Sequence, residues 1–152
     1  MELIEVIVGM IIALILVSAF TVFQDSEPEQ MLMAGGLASS SGLINYGDLK
    51  FYSDYVLGTE MSSIEWGELE PGDVANVSCI ILNTKKESML LDFYTDNWDP
   101  SAAQEFLNLS WNYDGVALEY YEYVEVVFSL SVSIEIKDIE SFSFDITVFQ
   151  VL

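Results

Sequence analysis

The run Val6 to Phe23, VIVGMIIALILVSAFTVF, spans 18 residues without a charge. A helix needs ~20 such residues to cross a bilayer's hydrocarbon core, so the segment predicts a long apolar helix set apart from the rest. About a hundred residues then remain for a separate core, enough for one small sandwich or barrel. Directly before the run stands Glu5. An ionised carboxylate at that depth is costly and marks a partner, a pore or a site. The chain has no Arg, and its 4 basic residues are Lys50, Lys85, Lys86 and Lys137, all far along the sequence.

A secretory signal opens with basic residues, whereas this chain opens Met1-Glu2-Leu3-Ile4-Glu5. A signal-anchor also carries Lys or Arg on its cytoplasmic flank, and none stands there. The expectation is a basic leader already removed, with Met1 as the first residue of a processed chain. Those five residues, followed by the apolar run, resemble the mature N-terminus of a type IV pilin over about the first 25 residues. Met replaces the more usual Phe at position 1, a change the family tolerates. The resemblance implies a prepilin peptidase that trims the leader and methylates the new amine. It also implies a membrane-inserted form that later enters a helical homopolymer through the pilus assembly machinery. Met1 and Glu5 are then the assembly residues, with Val6, Ile7, Met10, Ile11, Leu14, Ile15, Val17 and Phe20 packing the helical core. An ordinary single-span anchor whose Glu faces headgroups is the alternative.

Past Phe23 the pattern changes. QDSEPEQ holds Ser26 and Glu29 at capping-box spacing, with Pro28 as a breaker. MLMAGGLASSSGLINYG reads as a second helical piece passing into a linker, hinged between Gly42 and Gly47. Its serine triplet suits a flexible linker, or O-linked sugar.

From about Asp48 the period becomes two. SFSFDITV sets Phe142, Phe144, Ile146 and Val148 against polar alternates, and VVFSLSVSIEI does so with Phe128, Leu130, Val132 and Ile134. Leu69-Glu70-Pro71-Gly72-Asp73 suits a type II turn and Asp114-Gly115 a tight hairpin, while Asn83 to Lys86 reads as a polar loop. DPSAAQEFL predicts a short helix, capped by Asp99 with Pro100 at its first position. About seven short strands make a β-sandwich. IEWGELEPGD, DNWDPSAAQEFLNLSW and SFSFDITV resemble the Ig-like heads of archaeal pilins and related secreted archaeal domains, over most of residues 60–150.

Composition removes several functions. A net charge of −21 makes nucleic acid and anionic lipid headgroups poor partners. With His at 0, catalytic triads and imidazole metal sites are impossible. No Gly-rich phosphate loop follows a strand. Only paired carboxylates remain for catalysis, and in so acidic a chain such pairs arise by chance. Neither enzyme activity, nor a cofactor, nor a metal is expected. Asp92, Asp96, Asp99 and Asp114 match no EF-hand spacing and read as solvated surface rather than a Ca²⁺ site. Tyr113, Tyr120, Tyr121 and Tyr123 read as packing and subunit contact. Cys79, in VANVSCIIL, reads as a buried small hydrophobe. Two sequons occur, Asn76-Val77-Ser78 and Asn108-Leu109-Ser110, beside strand segments that leave open which way each Asn faces.

The combined expectation is an α+β chain: a long N-terminal hydrophobic α-helix and linker over residues 1–46, then an antiparallel, Ig-like β-sandwich head over residues 47–152. The function expected is structural: a subunit of an extracellular, type IV pilus-like filament on the cell surface, glycosylated at Asn76 or Asn108, with a role in adhesion or surface attachment. A monomeric membrane-anchored binding domain, or a subunit of an archaeal motility filament, stand as alternatives.

Overall fold

The computed structural model describes residues 36–45 and 48–151. The chain divides into two units, Met1–Met33 and Ala34–Leu152, and the described residues all belong to the second. The expected apolar helix, with Met1, Glu5, Val6, Ile7, Met10, Ile11, Leu14, Ile15, Val17 and Phe20, lies outside the described residues.

The α+β expectation is corrected by what is described. Eight strands account for most of the domain: β1 Leu37–Asn45, β2 Leu49–Tyr52, β3 Ser63–Leu69, β4 Val74–Asn83, β5 Leu90–Asp99, β6 Leu107–Trp111, β7 Tyr123–Val132 and β8 Ser141–Val151. The only helical element among the described residues is a 3-10 helix of five residues, Ser101–Glu105. No helix among them is long and apolar enough to cross a membrane. The reason lies in the period: in β1, β7 and the first halves of β3 and β8 the inward residues recur every second position, a repeat that suits a pleated strand and leaves no continuous apolar stripe on a helix.

The strands form two four-stranded sheets, ordered β3-β1-β8-β5 and β2-β4-β7-β6. The expected antiparallel arrangement is also corrected, because β1 and β8 run parallel at the centre of the first sheet, Ala38 beside Ser141 through Asn45 beside Val148. The chain changes sheet at every connection except β6 to β7. This parallel centre sets the domain apart from the seven-stranded arrangement of two wholly antiparallel sheets.

Strand β1 takes up the stretch expected to be linker. Leu37, Ser39, Ser41 and Leu43 face inward and are buried, while Ala38 and Ile44 are exposed on the other face. The two buried serines are satisfied across the β1–β3 ladder: Ser39 Oγ donates to the Gly67 carbonyl at 2.8 Å, and Trp66 Nε1 donates to Ser41 Oγ at 3.2 Å. Buried hydroxyls with such partners cost little.

The core fills the space between the sheets. Phe142, Phe144, Ile146 and Val148 of β8 all point inward, as the alternation predicts. They face Val126, Phe128, Leu130 and Val132 of β7. Phe93 of the first sheet meets Trp111 and Phe128 of the second, with ring centroids 5.0 and 5.8 Å away. Each large apolar side chain removed from water contributes about 1.5–3 kcal/mol. Strand β7 stops at Val132, earlier than the sequence predicts, and Ile134 is left exposed while Ile136 turns back into the core.

Turns follow local chemistry, with two corrections. Between β3 and β4 the type II turn stands as predicted: the Asp73 amide donates to the Glu70 carbonyl at 3.0 Å, and Gly72 takes φ 93. The DPSAAQEFL segment starts one residue later than predicted, with Pro100 in the cap position and no capping hydrogen bond from a side chain. The predicted Asp114-Gly115 hairpin is instead part of a longer connection from Trp111 to Tyr123, in which Asp114 Oδ1 accepts the Val116 amide at 3.0 Å.

Candidate functional site

The outer face of the sheet β2-β4-β7-β6 gathers the two sequons. In β4 the residues Ala75 and Val77 pack toward the core, which sends Val74, Asn76 and Ser78 outward. In β6, Leu107 and Leu109 point in, and Asn108 and Ser110 point out. Strand β7 lies between them and completes two rows: Asn108, Ser131 and Val74 in one, Ser110, Ser129 and Asn76 in the next. Both asparagines are exposed and occupy neighbouring rows of one face. Because residues i and i+2 of a strand share a face, each sequon presents its amide and its hydroxyl on the same side.

Hydrogen bonds run along each row, from strand to strand. Ser129 Oγ donates to Asn76 Oδ1 at 2.6 Å, Ser131 Oγ to the Asn108 carbonyl at 3.3 Å, and Ser110 Oγ to the Ser129 carbonyl at 3.4 Å. A shallow groove of about 240 Å³ opens beside Asn108, lined by Glu105, Phe106, Ser131 and Ser133. The sequons were readable in the sequence, but their common face follows from the β4–β7–β6 register.

Farther along the same face is a small second cluster. Tyr52, Ile80 and Leu82 are buried there beneath Leu57 of the β2–β3 connection. Next to it stands an exposed tyrosine group. The structure splits the four tyrosines singled out in the sequence. Tyr113 is partly buried against Trp111 at 5.2 Å, and its hydroxyl donates to the Val116 carbonyl at 2.6 Å. Tyr120, Tyr121 and Tyr123 are exposed. Tyr55, which sequence reading passed over, packs edge-on against Tyr123 at 6.2 Å and hydrogen-bonds Glu125. That bond to a carboxylate is the first cause holding the Tyr55 hydroxyl's pKa above its ordinary value.

The acidic residues do not converge as a set. Asp92, Asp96 and Asp99 share strand β5, whereas Asp114 belongs to the β6–β7 connection. Asp96 lies opposite Asp145, whose Oδ2 accepts from Asn97 Nδ2 at 2.8 Å. Among the described residues no group of three or more His, Cys, Asp or Glu is placed to hold a metal ion. Two ion pairs occur among these residues, Lys50 with Glu60 and Lys85 with Glu87. The hydrogen bond from Lys50, then its charge, keeps the Glu60 carboxyl below the usual carboxylate range.

Cys79 is wholly buried on the inner side of β4, and burial pushes its thiol up to about 12. At neutral pH it holds almost no thiolate, the form that reacts. It serves as a small apolar side chain, as the sequence reading has it. The arrangement offers polar surface, exposed aromatic rings and two exposed sequon amides. The assembly residues Met1 and Glu5, and the core-packing set from Val6 to Phe20, fall outside the described residues. No protein-family model matches the chain, and no curated protein matches its sequence.

Proposed function

We propose that the chain is a structural subunit of an extracellular, type IV pilus-like filament that attaches cells to surfaces, and that its β domain forms part of the filament wall. One observation carries the reading: a carboxylate, Glu5, stands directly before 18 uncharged residues, in a chain that goes on to fold as a separate acidic β domain. Copies of the apolar segment leave lipid and gain one another, burying Glu5 where it has to be neutralised by a positive group of a neighbouring copy. Breaking a buried pair by removing one partner costs ~3–5 kcal/mol, while an exposed pair contributes under ~1 kcal/mol. Glu5 therefore works as a register device, halting each incoming copy where its charge is met.

The test is Glu5→Gln in the cells that make the protein, with Glu2→Gln beside it. Negative-stain microscopy of the sheared surface fraction is expected to show abundant thin fibres for the parent chain, near-normal amounts for Glu2→Gln, and a sharp loss for Glu5→Gln with the chain still membrane-held. Normal fibres from Glu5→Gln cells overturn the register role. A parent chain recovered only as a detergent-extracted monomer overturns the filament.

A further inference from the structure

We propose that Asn76 and Asn108 both carry N-linked glycan and together make the outer face of β2-β4-β7-β6 a single sugar-coated surface. This goes beyond the filament reading and rests on one part of it, the export of the β domain.

Three features of the fold bring the two sites together. First, both amides and both sequon hydroxyls emerge on one face, in adjacent rows across β7. Second, both sequons lie on open strand edges. Strand β6 is the last strand of its sheet, and β4 pairs with β2 only from Ile80 to Asn83, so the segment carrying Asn76 has a free edge opposite β7. A transferring enzyme that bends either sequon away from the sheet breaks one ladder there instead of two. Third, the strip is uncharged. In a chain with 25 acidic residues, the two rows that hold the asparagines consist of Asn108, Ser131 and Val74, and of Ser110, Ser129 and Asn76, and Ser78 follows opposite Val127. Neutral small side chains of this kind leave room for a sugar and add no charge for it to compete with.

The side-chain geometry suits the reaction. At Asn76 the carboxamide oxygen is taken by Ser129 Oγ, and the nitrogen has no protein partner among the described residues. At each site the bond from Nδ2 to the sugar C1 forms as the bond from C1 to the phosphate oxygen of a lipid-phosphate-linked sugar breaks. The lipid phosphate leaves with the bonding pair, and the amide proton passes to a base of the transferring enzyme. A bulky hydrated chain at both points keeps this face out of tight protein contact.

The experiment is intact-mass and peptide mass spectrometry of the chain taken from the surface of the cells that make it. The mass should exceed that of the polypeptide by two glycans. Asn76→Gln and Asn108→Gln should each remove one, and the double variant both. Ser78→Thr and Ser110→Thr retain the hydroxyl and should keep both. A surface-exposed chain modified at one site or at neither overturns the two-site face while leaving the filament standing. A chain with both glycans that never forms fibres sinks the filament and leaves the face. A bare chain held inside the cell overturns both.

Discussion

At Asn83 a single buried side chain closes the end of the sandwich. It is fully buried, and its Nδ2 donates to the carbonyls of Glu87 at 2.8 Å, Leu118 at 2.9 Å and Glu119 at 3.2 Å. Its Oδ1 accepts the Lys85 amide at 2.8 Å, and its backbone exchanges bonds with Glu122 and Tyr121. One residue thus joins the β4–β5 connection to the one that precedes β7. Replacing it with Ala leaves several carbonyls and an amide without their partner, each an unmet group of the kind that costs ~1–3 kcal/mol when buried. Asn83→Ala should lower the unfolding free energy by at least that much, read as a lower urea midpoint at an unchanged slope. An unaltered midpoint would show that water replaces the clasp at no cost. In the sequence Asn83 looks like the first residue of a polar loop, because nothing local reveals that Leu118, Glu119, Tyr121 and Glu122, all more than thirty residues further on, are among its partners.

Strand β1 makes the same point for an element. Its inward positions alternate Leu37, Ser39, Ser41 and Leu43, and the two serines hide the period that phenylalanines display so plainly in β8. Trp66 and Gly67 of β3 satisfy those serines, so the strand exists only in the presence of its neighbours. Ser41→Ala should strand the buried Trp66 Nε1 and cost ~1–3 kcal/mol, whereas Ser40→Ala, on the opposite face, should stay within about 0.5 kcal/mol. Equal, negligible effects in thermal unfolding would mean that the segment behaves as the linker its composition suggests. Legibility across the domain follows this division. Strands whose inner faces are entirely apolar, β7 and β8, could be read directly, as could the Pro71-Gly72 turn, whose chemistry is local. The parallel β1–β8 pairing could not, since it joins residues about a hundred positions apart and has no turn to announce it. The sequons were visible as motifs, yet the face they share depends on register.

For the whole molecule, charge opposes the compact state. The chain carries 25 acidic residues against 4 basic ones, and two ion pairs are formed among the described residues. Both pairs involve exposed or half-exposed carboxylates, where pairing contributes little. Most of the acidic groups therefore repel one another through water, over a range of ~10 Å at 0.1 M salt and ~30 Å at 0.01 M. Copies stacked in a filament would add repulsion between subunits to the repulsion within each. Two mechanisms of relief by salt are distinguishable: diffuse screening depends on ionic strength alone, while a discrete cation site saturates and prefers one ion. With no metal-holding group of three or more His, Cys, Asp or Glu among the described residues, diffuse screening is the expected one. The melting temperature should rise steadily as NaCl increases from about 10 mM to about 1 M, and MgCl₂ at matched ionic strength should fall near the same curve. In the proposed filament, dialysis into water with chelator should loosen the fibres over the range in which the melting temperature falls. A flat melting temperature would show that apolar packing between the sheets outweighs the repulsion at every salt concentration. A sharp, saturating rise with Mg²⁺ alone would place a cation site on the acidic surface and end the screening account.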